Sequence, residues 1–451
     1  VPPAFVPPCP QIPDRSLTWL ETIAALRSNV LRLWPRAAYE DDTLVVRLFA
    51  RRHFLFNSAA AIRRVLVENM GNYRRPPATL RILRPIVGDG LLLSEGSEWR
   101  SQRRIIAPAL ANHVAPLVAA QVAGVAAETV ARFATLAGRP VDLLAAMQEL
   151  ALEVAARSMF SLEMRRHGAA LRALIARYRP RLGRPTGLDL ILPTAIPTLR
   201  DLARMKFRSD WIALMDAIVA QRWELPASAA PRDLFDLLIA ARDPETGAHF
   251  SRTQLRDQVA TMIVAGHETT ALALFWSLFL LASSPEAQDR VAEEADGEDF
   301  TPNAASEAFK RLPFTRAVVN EALRLYPPAF LIARQAVAAD CCGGTPVPAG
   351  ALVVISPWVL HRHVRLWDRP EIFDPARFLR GKPPDRFAFV PFGAGPRVCV
   401  GAQLALVEVV LMLAILVRNF RFGLADPRPV MPAAIVSMQP NYPASFDVQV
   451  R

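Results

Sequence analysis

One short run limits what this 451-residue chain can be more than any other: Phe392-Gly393-Ala394-Gly395-Pro396-Arg397-Val398-Cys399-Val400-Gly401. It follows Pro391 and leads into an Ala/Leu helical pattern starting near Gln403. The three glycines permit tight turns and close backbone approach, and a lone cysteine sits at the mouth of a helix. A helix N-terminus favours the thiolate form of a cysteine, and thiolate is the form that binds iron. The plain structural alternative is a free cysteine packed into a glycine turn.

Around that loop the chain reads as one large domain, residues 1–451. Hydrophobic residues make up 52% of it, no linker-like stretch divides it, and its 39 prolines are scattered, so a deep core able to enclose a cofactor is expected. The four cysteines are far too few for a disulfide scaffold, which favours a reducing compartment and a cytoplasmic protein. No signal-peptide pattern opens the chain. The apolar stretches Thr261–Ala282 and Leu404–Val417 are read as core helices rather than membrane spans. The net charge of +11 is carried almost wholly by arginine. These arginines are dispersed and no nucleic-acid motif accompanies them, so an acidic protein partner is expected and nucleic acid is not. The Ala/Arg richness fits a GC-rich bacterial source.

Apolar residues at three- and four-residue spacing predict helices over Leu17–Ala38, Ser58–Glu68, Ala115–Ala137, Leu143–Met164 and Leu202–Trp223. A longer helix starts near Ser251, with Ser251 or Thr253 as its cap, and ends before Ser284-Pro285. Strand signals are short: Thr43–Leu48, Ala351–Ser356 and Asp447–Arg451. The Gly/Pro-punctuated Asp340–Gly350 reads as turns, with Cys341 and Cys342 near the surface. A mainly α fold with small β-sheets is expected.

The order Phe392, Gly395, Arg397, Cys399, Gly401 resembles the haem-binding loop F-x-x-G-x-R-x-C-x-G of the cytochrome P450 family. Five fixed positions arise by chance in roughly one such chain in ten thousand. Four upstream segments resemble the family's other motifs in the expected order. Trp99 and Arg103 match W-x-x-x-R. Ala265-Gly266-His267-Glu268-Thr269-Thr270 resembles A-G-x-[DE]-T-[ST]. Glu321 and Arg324 match E-x-x-R, and Arg377 lies in a P-x-R-F segment.

The resemblance implies the family's single, mainly helical domain holding haem b (iron protoporphyrin IX) on Cys399. Arg397, Trp99, Arg103 and Arg334 would meet the propionates, as suits the guanidinium fork. Glu321, Arg324 and Arg377 would brace the cysteine loop. The Thr269 hydroxyl would bond the Ala265 carbonyl and open the helix there, leaving a groove for O2. Thr269 would steady the oxygen and Glu268 would feed protons through water. Without the loop, Gly266 would mark no more than a kinked core helix. His267, His361 and His363 are read as ordinary polar contacts, since no Cys or carboxylate cluster accompanies them.

The implied reaction is monooxygenation of a small hydrophobic substrate, one atom of O2 entering it and the other leaving as water. Too few residues flank the domain for a fused reductase, so electrons would come from a separate ferredoxin or flavodoxin with its NAD(P)H reductase. That partner would dock near Arg100, Arg103, Arg104 and Arg397. Pocket walls are expected at Ile82–Leu92, Val264–Ala265, Pro328–Ile332 and Ala434–Val436, with Ile86, Leu91, Phe330, Leu331 and Ile435 among their apolar members. A peroxide-driven peroxygenase, a non-oxidative haem-thiolate enzyme and a haem-based gas sensor are the alternatives. The Glu268-Thr269 pair disfavours the first two, and the lack of a signalling domain the third.

Overall fold

A long buried helix organises the molecule. In the computed structural model, which describes residues 5–48, 51–161, 167–223, 226, 231–381 and 385–451, helix predominates at 56% and the sheets are small. Six helices position the site: α1 (Gly96–Ala109), α2 (Ala115–Leu136), α3 (Leu143–Phe160), α4 (Arg252–Ala282), α5 (Pro313–Leu325) and α6 (Ala402–Asn419). Helix α4 begins at Ser251, whose side chain accepts from Gln254 N while Gln254 answers on the Ser251 backbone. This capping box satisfies two otherwise unpaired N–H groups. Its second half, Ala271–Leu281, is buried on every face, which is why it shows no amphipathic stripe. Helices α2, α4 and α6 are long and apolar enough to cross a membrane by length and composition, but most of the apolar window of α4 and α6 is buried inside the protein.

Five strands form the main sheet: β1 (Thr43–Leu48), β2 (Arg51–Phe56), β3 (Tyr73–Arg74), β4 (Ile332–Ala336) and β5 (Leu352–Ile355), in the order β1-β2-β5-β4-β3. All pairs are antiparallel except β2 with β5, where Phe54 faces Val353 in parallel register. The antiparallel pairing of Arg334 with Val353 places this arginine at the sheet's cavity end.

The expected helix over Leu17–Ala38 is broken. A helix covers Trp19–Ser28, and short 3-10 turns follow at Val30–Leu33 and Arg36–Tyr39. Asn29 causes the break: its side chain accepts from Leu31 N and Ala434 N and donates to the Pro432 carbonyl, competing with the helical bonds. Asp340–Gly350 is more than turns. Asp340–Cys342 pairs with Thr345–Val347 around Gly343 and Gly344, both at positive φ (55° and 83°), the two-residue hairpin geometry that glycine favours. Cys341 is exposed as expected, but Cys342 is buried against the Tyr73 hydroxyl at 3.0 Å. Helix α3 ends at Phe160, with Ser161 left-handed at φ 50°; the predicted extension to Met164 lies outside the described residues. The strand over Arg51–Phe56 had no distinct signal, because its arginines mask the alternation.

Candidate active site

The cysteine loop is built by its own backbone. Cys399 N donates to the Phe392 carbonyl at 2.9 Å, Val398 N to Gly395 O, and Gly393 N to Val390 O. Gly395 adopts φ +73°, and a Cβ there would lie 2.2 Å from the Leu66 carbonyl oxygen. Glycine is therefore needed both for the turn and for contact with the neighbouring chain. Gly395 does not itself line the cavity; Phe392, Arg397, Cys399 and Gly401 do.

That cavity has a volume of about 920 Å3 and mainly apolar walls. It brings together Cys399, Phe392 and Gly401 with Trp99, Arg103, Arg334 and Arg397, and with Ala265, Gly266, Glu268 and Thr269 on α4. The expected walls contribute Ile82, Leu91, Phe330, Leu331 and Ile435. Ile86 is not among them; it is buried in the core and its carbonyl accepts from Trp211 Nε1.

Burial pushes the Cys399 thiol above its ordinary pKa, although the Gly401 N–H and the Arg103 guanidinium both pull it down. A coordinated metal ion would hold the thiolate. Arg103 Nη1 donates to the Val398 carbonyl at 2.9 Å, so it supports the loop next to the cysteine.

On the same cavity wall, Arg75, Arg334 and Arg397 converge. Glu95 is the acid common to them: Arg75 Nη1 lies 2.8 Å from it and Arg397 also pairs with it. Arg397 stacks over the Trp99 ring at 4.5 Å. Burial, then the neighbouring Arg75, pushes both Arg334 and Arg397 down to about 10. Three guanidiniums against one carboxylate leave a surplus of two positive charges, and Arg397 Nε is buried without a partner among the described residues. Such a site calls for anionic groups, and the two propionates of a porphyrin supply that charge. Sequence reasoning missed Arg75 and Glu95, since packing of the segment after β3 against the start of α1, rather than motif spacing, brings them together.

On α4 the Thr269 hydroxyl donates to the Ala265 carbonyl at 2.6 Å. The helix nonetheless continues unbroken from Arg252 to Ala282, so the expected opening is not a break in the helix. A Cβ on Gly266 would meet no protein atom within 4 Å, which leaves that face of the helix open to a flat group in the cavity. Glu268 Oε1 accepts from Ser437 Oγ at 2.7 Å and Gln439 Nε2 at 2.5 Å. Glu408 on α6, half-buried at the cavity wall, was also missed as a site residue: desolvation pushes its carboxyl up to about 7, and it accepts from Thr270 Oγ1 at 3.4 Å. The thiol, the cationic edge and the space over Gly266 together fit a haem.

The cytochrome P450 family profile matches residues 35–446. The chain belongs to the cytochrome P450 family. Cyclooctat-9-en-7-ol 5-monooxygenase of Streptomyces melanosporofaciens is 33% identical to this P450 over 88% of this chain and 87% of that protein. Cyclooctatin synthase of the same organism is 35% identical, over 84% and 83%. The solved haem domain of cytochrome P450DA superposes with a TM-score of 0.76 at 24% identity, covering 91% and 90% of the two chains. The protein is thus an oxidoreductase with the P450 fold, and the family implies a haem-thiolate cofactor, a substrate and O2.

The P450 brace also lies in place. Glu321 is fully buried, accepting from Arg324 Nε at 2.7 Å, Arg324 Nη2 at 2.8 Å and Arg377 Nε at 3.1 Å. Arg324 continues to the carbonyls of His361, Pro370 and Ile372. His361 Nε2 accepts from Val390 N, His363 contacts the Asp41 carbonyl and His267 the Gln148 carbonyl. No His/Cys/Asp/Glu group among the described residues could hold a metal ion.

Proposed function

We propose that this P450 is a cytoplasmic bacterial monooxygenase that binds haem b through Cys399. It inserts one atom of O2 into a small hydrophobic substrate, such as a steroid, terpene or fatty acid. A separate ferredoxin or flavodoxin, with its NAD(P)H reductase, supplies the electrons, and the catalytic domain spans residues 1–451. The observation that carries this reading is the convergence, in one apolar cavity, of Cys399, the cationic edge and the Glu268-Thr269 pair.

When bound, the haem supplies reductive activation of O2. The chain's own residues do the rest. Arg75, Arg334 and Arg397 would bind the propionate charges, and Trp99 supports Arg397. Thr269, whose hydroxyl donates to the Ala265 carbonyl, would face the bound haem beside Gly266, and Glu268, held by Ser437 and Gln439, places its carboxyl in the cavity wall. The apolar walls exclude water and favour a hydrophobic guest. Two relatives are named for cyclic compounds, cyclooctat-9-en-7-ol 5-monooxygenase and cyclooctatin synthase, which supports a ring-bearing hydrophobic substrate.

The docking face needs revision. Arg104 pairs with Asp243 at 2.8 Å and Glu245 at 3.1 Å, Arg103 bonds the Val398 carbonyl, and Arg397 turns inward to Glu95. Of the four expected cations, Arg100 is the exposed one, and Arg100→Glu should slow electron transfer at low salt more than Arg104→Glu.

The deciding experiment is the reduced, CO-bound spectrum. The haem-loaded protein should absorb at the position typical of thiolate ligation, and Cys399→Ala should abolish that band. Retention of the band in the alanine variant would falsify the ligand assignment.

A further inference from the structure

Besides Arg397 Nε and Trp34 Nε1, the buried polar atoms on cavity-lining residues with no hydrogen-bond partner among the described residues are the amide nitrogen Nε2 of Gln258 and the hydroxyl of Ser158. Gln258 is 1% exposed and Ser158 2%. Both residues line the cavity, in the company of Ala155, Met159, Leu234 and Met262. Burying a polar group without a partner is costly, and folded proteins rarely leave one so.

The two groups are not accidents of an ambiguous amide. Gln258 Oε1 accepts from Leu91 N at 2.9 Å. A flipped amide would set donor against donor, so this bond fixes Nε2 as the free end, with two N–H groups to give. Thr261, one turn along, is already engaged, its hydroxyl donating to the Asp257 carbonyl at 2.7 Å. Most serines inside helices bond the carbonyl four residues back, as Ser277 does to Ala273 on α4; Ser158 does not. Ser158 belongs to α3 and Gln258 to α4, and these helices pack directly on each other, with His267 of α4 meeting the Gln148 carbonyl of α3 at 3.0 Å.

We propose that Gln258 and Ser158 form a polar anchor for an oxygen atom of the substrate. The substrate class is then an apolar molecule that already carries a hydroxyl or carbonyl oxygen, rather than a plain hydrocarbon. Gln258 donates to that oxygen, and Ser158 donates to it or accepts from its hydroxyl. This rests on the cavity being the substrate pocket of a monooxygenase. Gln258 precedes Thr269 by eleven residues, roughly 16 Å along the helix axis. The anchored oxygen therefore lies at the end of the molecule remote from the site of oxidation, and the skeleton is of multi-ring length. A site built to hydrogen-bond a substrate oxygen discriminates strongly against the analogue lacking it.

The test uses the haem-loaded enzyme and two matched pairs: 5α-androstane with 5α-androstan-3-ol, and kaurane with kauran-16-ol. Affinity is read from the ligand-induced spin-state change. The alcohol of a pair should bind about tenfold tighter than its hydrocarbon, equivalent to about 1.4 kcal/mol. Ser158→Ala should reduce that preference to about threefold, and Gln258→Leu should reduce it to near parity. Gln258→Glu, which keeps the acceptor for Leu91 N, serves as the second variant: the alcohols can donate to the carboxylate and should keep their preference, whereas 5α-androstan-3-one, which can only accept, should bind the parent tighter than 5α-androstane and lose that advantage in this variant. Equal affinity within a pair, or a preference unchanged in Ser158→Ala and Gln258→Leu, overturns the anchor and leaves the monooxygenase reading intact. If neither pair binds while the CO-bound spectrum is that of a thiolate haem, the hydrophobic-substrate reading falls and the anchor with it.

Discussion

Arg377 donates from Nε to Glu321 Oε1 at 3.1 Å, spanning 56 residues of sequence to complete a carboxylate already held by Arg324. Removing one member of a buried ionic cluster strands the others in a low-dielectric interior, which costs about 3–5 kcal/mol. Glu321→Gln should therefore lower stability by that order and reduce haem retention. Arg377→Lys should cost less, because a lysine keeps the charge and loses the fork. Chemical unfolding followed at the haem band measures both.

The glycines of the cysteine loop should not behave alike. Gly395→Ala forces a Cβ against the Leu66 carbonyl at a positive φ, so the loop must move and haem loading should collapse. At Gly401 a Cβ meets nothing within 4 Å and φ is −93°, so Gly401→Ala should leave the stability of the fold within about 1 kcal/mol. Thermal unfolding of the haem-free proteins, with haem titrated afterwards, separates the two effects.

Thr269→Val keeps the shape of the side chain and removes its hydroxyl. Electrons drawn from NAD(P)H should then be diverted to hydrogen peroxide, with product per NAD(P)H falling about tenfold or more. Thr269→Ser should restore most of the coupling. If Thr269→Val stays fully coupled, the hydroxyl has no part in proton handling.

Glu408 gives a pH signature. Its carboxyl is pushed up to about 7 in the folded protein, against about 4.3 in an unfolded chain. The folded state thus keeps a proton that the unfolded state releases, and the stability linked to this group falls as pH rises from about 4 through 7. Glu408→Gln should be more stable than the parent by up to about 3 kcal/mol at pH 8, with the advantage gone near pH 4. Urea unfolding at both pH values checks the sign.

The parts of the site that were legible in the sequence are those the chain holds within one segment. Cys399, Phe392, Gly395 and Gly401 share a ten-residue run, and the Thr269–Ala265 bond is a one-turn relation that residue identity announces. Glu95 and Arg75 were invisible because their meeting depends on how the segment after β3 packs against the start of α1. Asn29 shows the same limit from the other side. Local periodicity favoured a continuous helix, and a tertiary contact to Pro432 and Ala434 overrode it. Glu408 sits in an apolar helix like any stray acid, and only the enclosure around it shifts its proton.

The Asn29 tie has a consequence for how the protein is made. It joins the beginning of the chain to residues 432–434, and the same terminal stretch supplies Ile435, Val436 and Ser437 to the cavity wall. During synthesis, domains gain structure from the N-terminus onward, yet this pocket has no finished wall until residues 432–437 have left the ribosome. Cofactor capture in the final form therefore waits for residues 432–437, and a ribosome-bound nascent chain stalled before residue 430 should fold its helices without retaining haem.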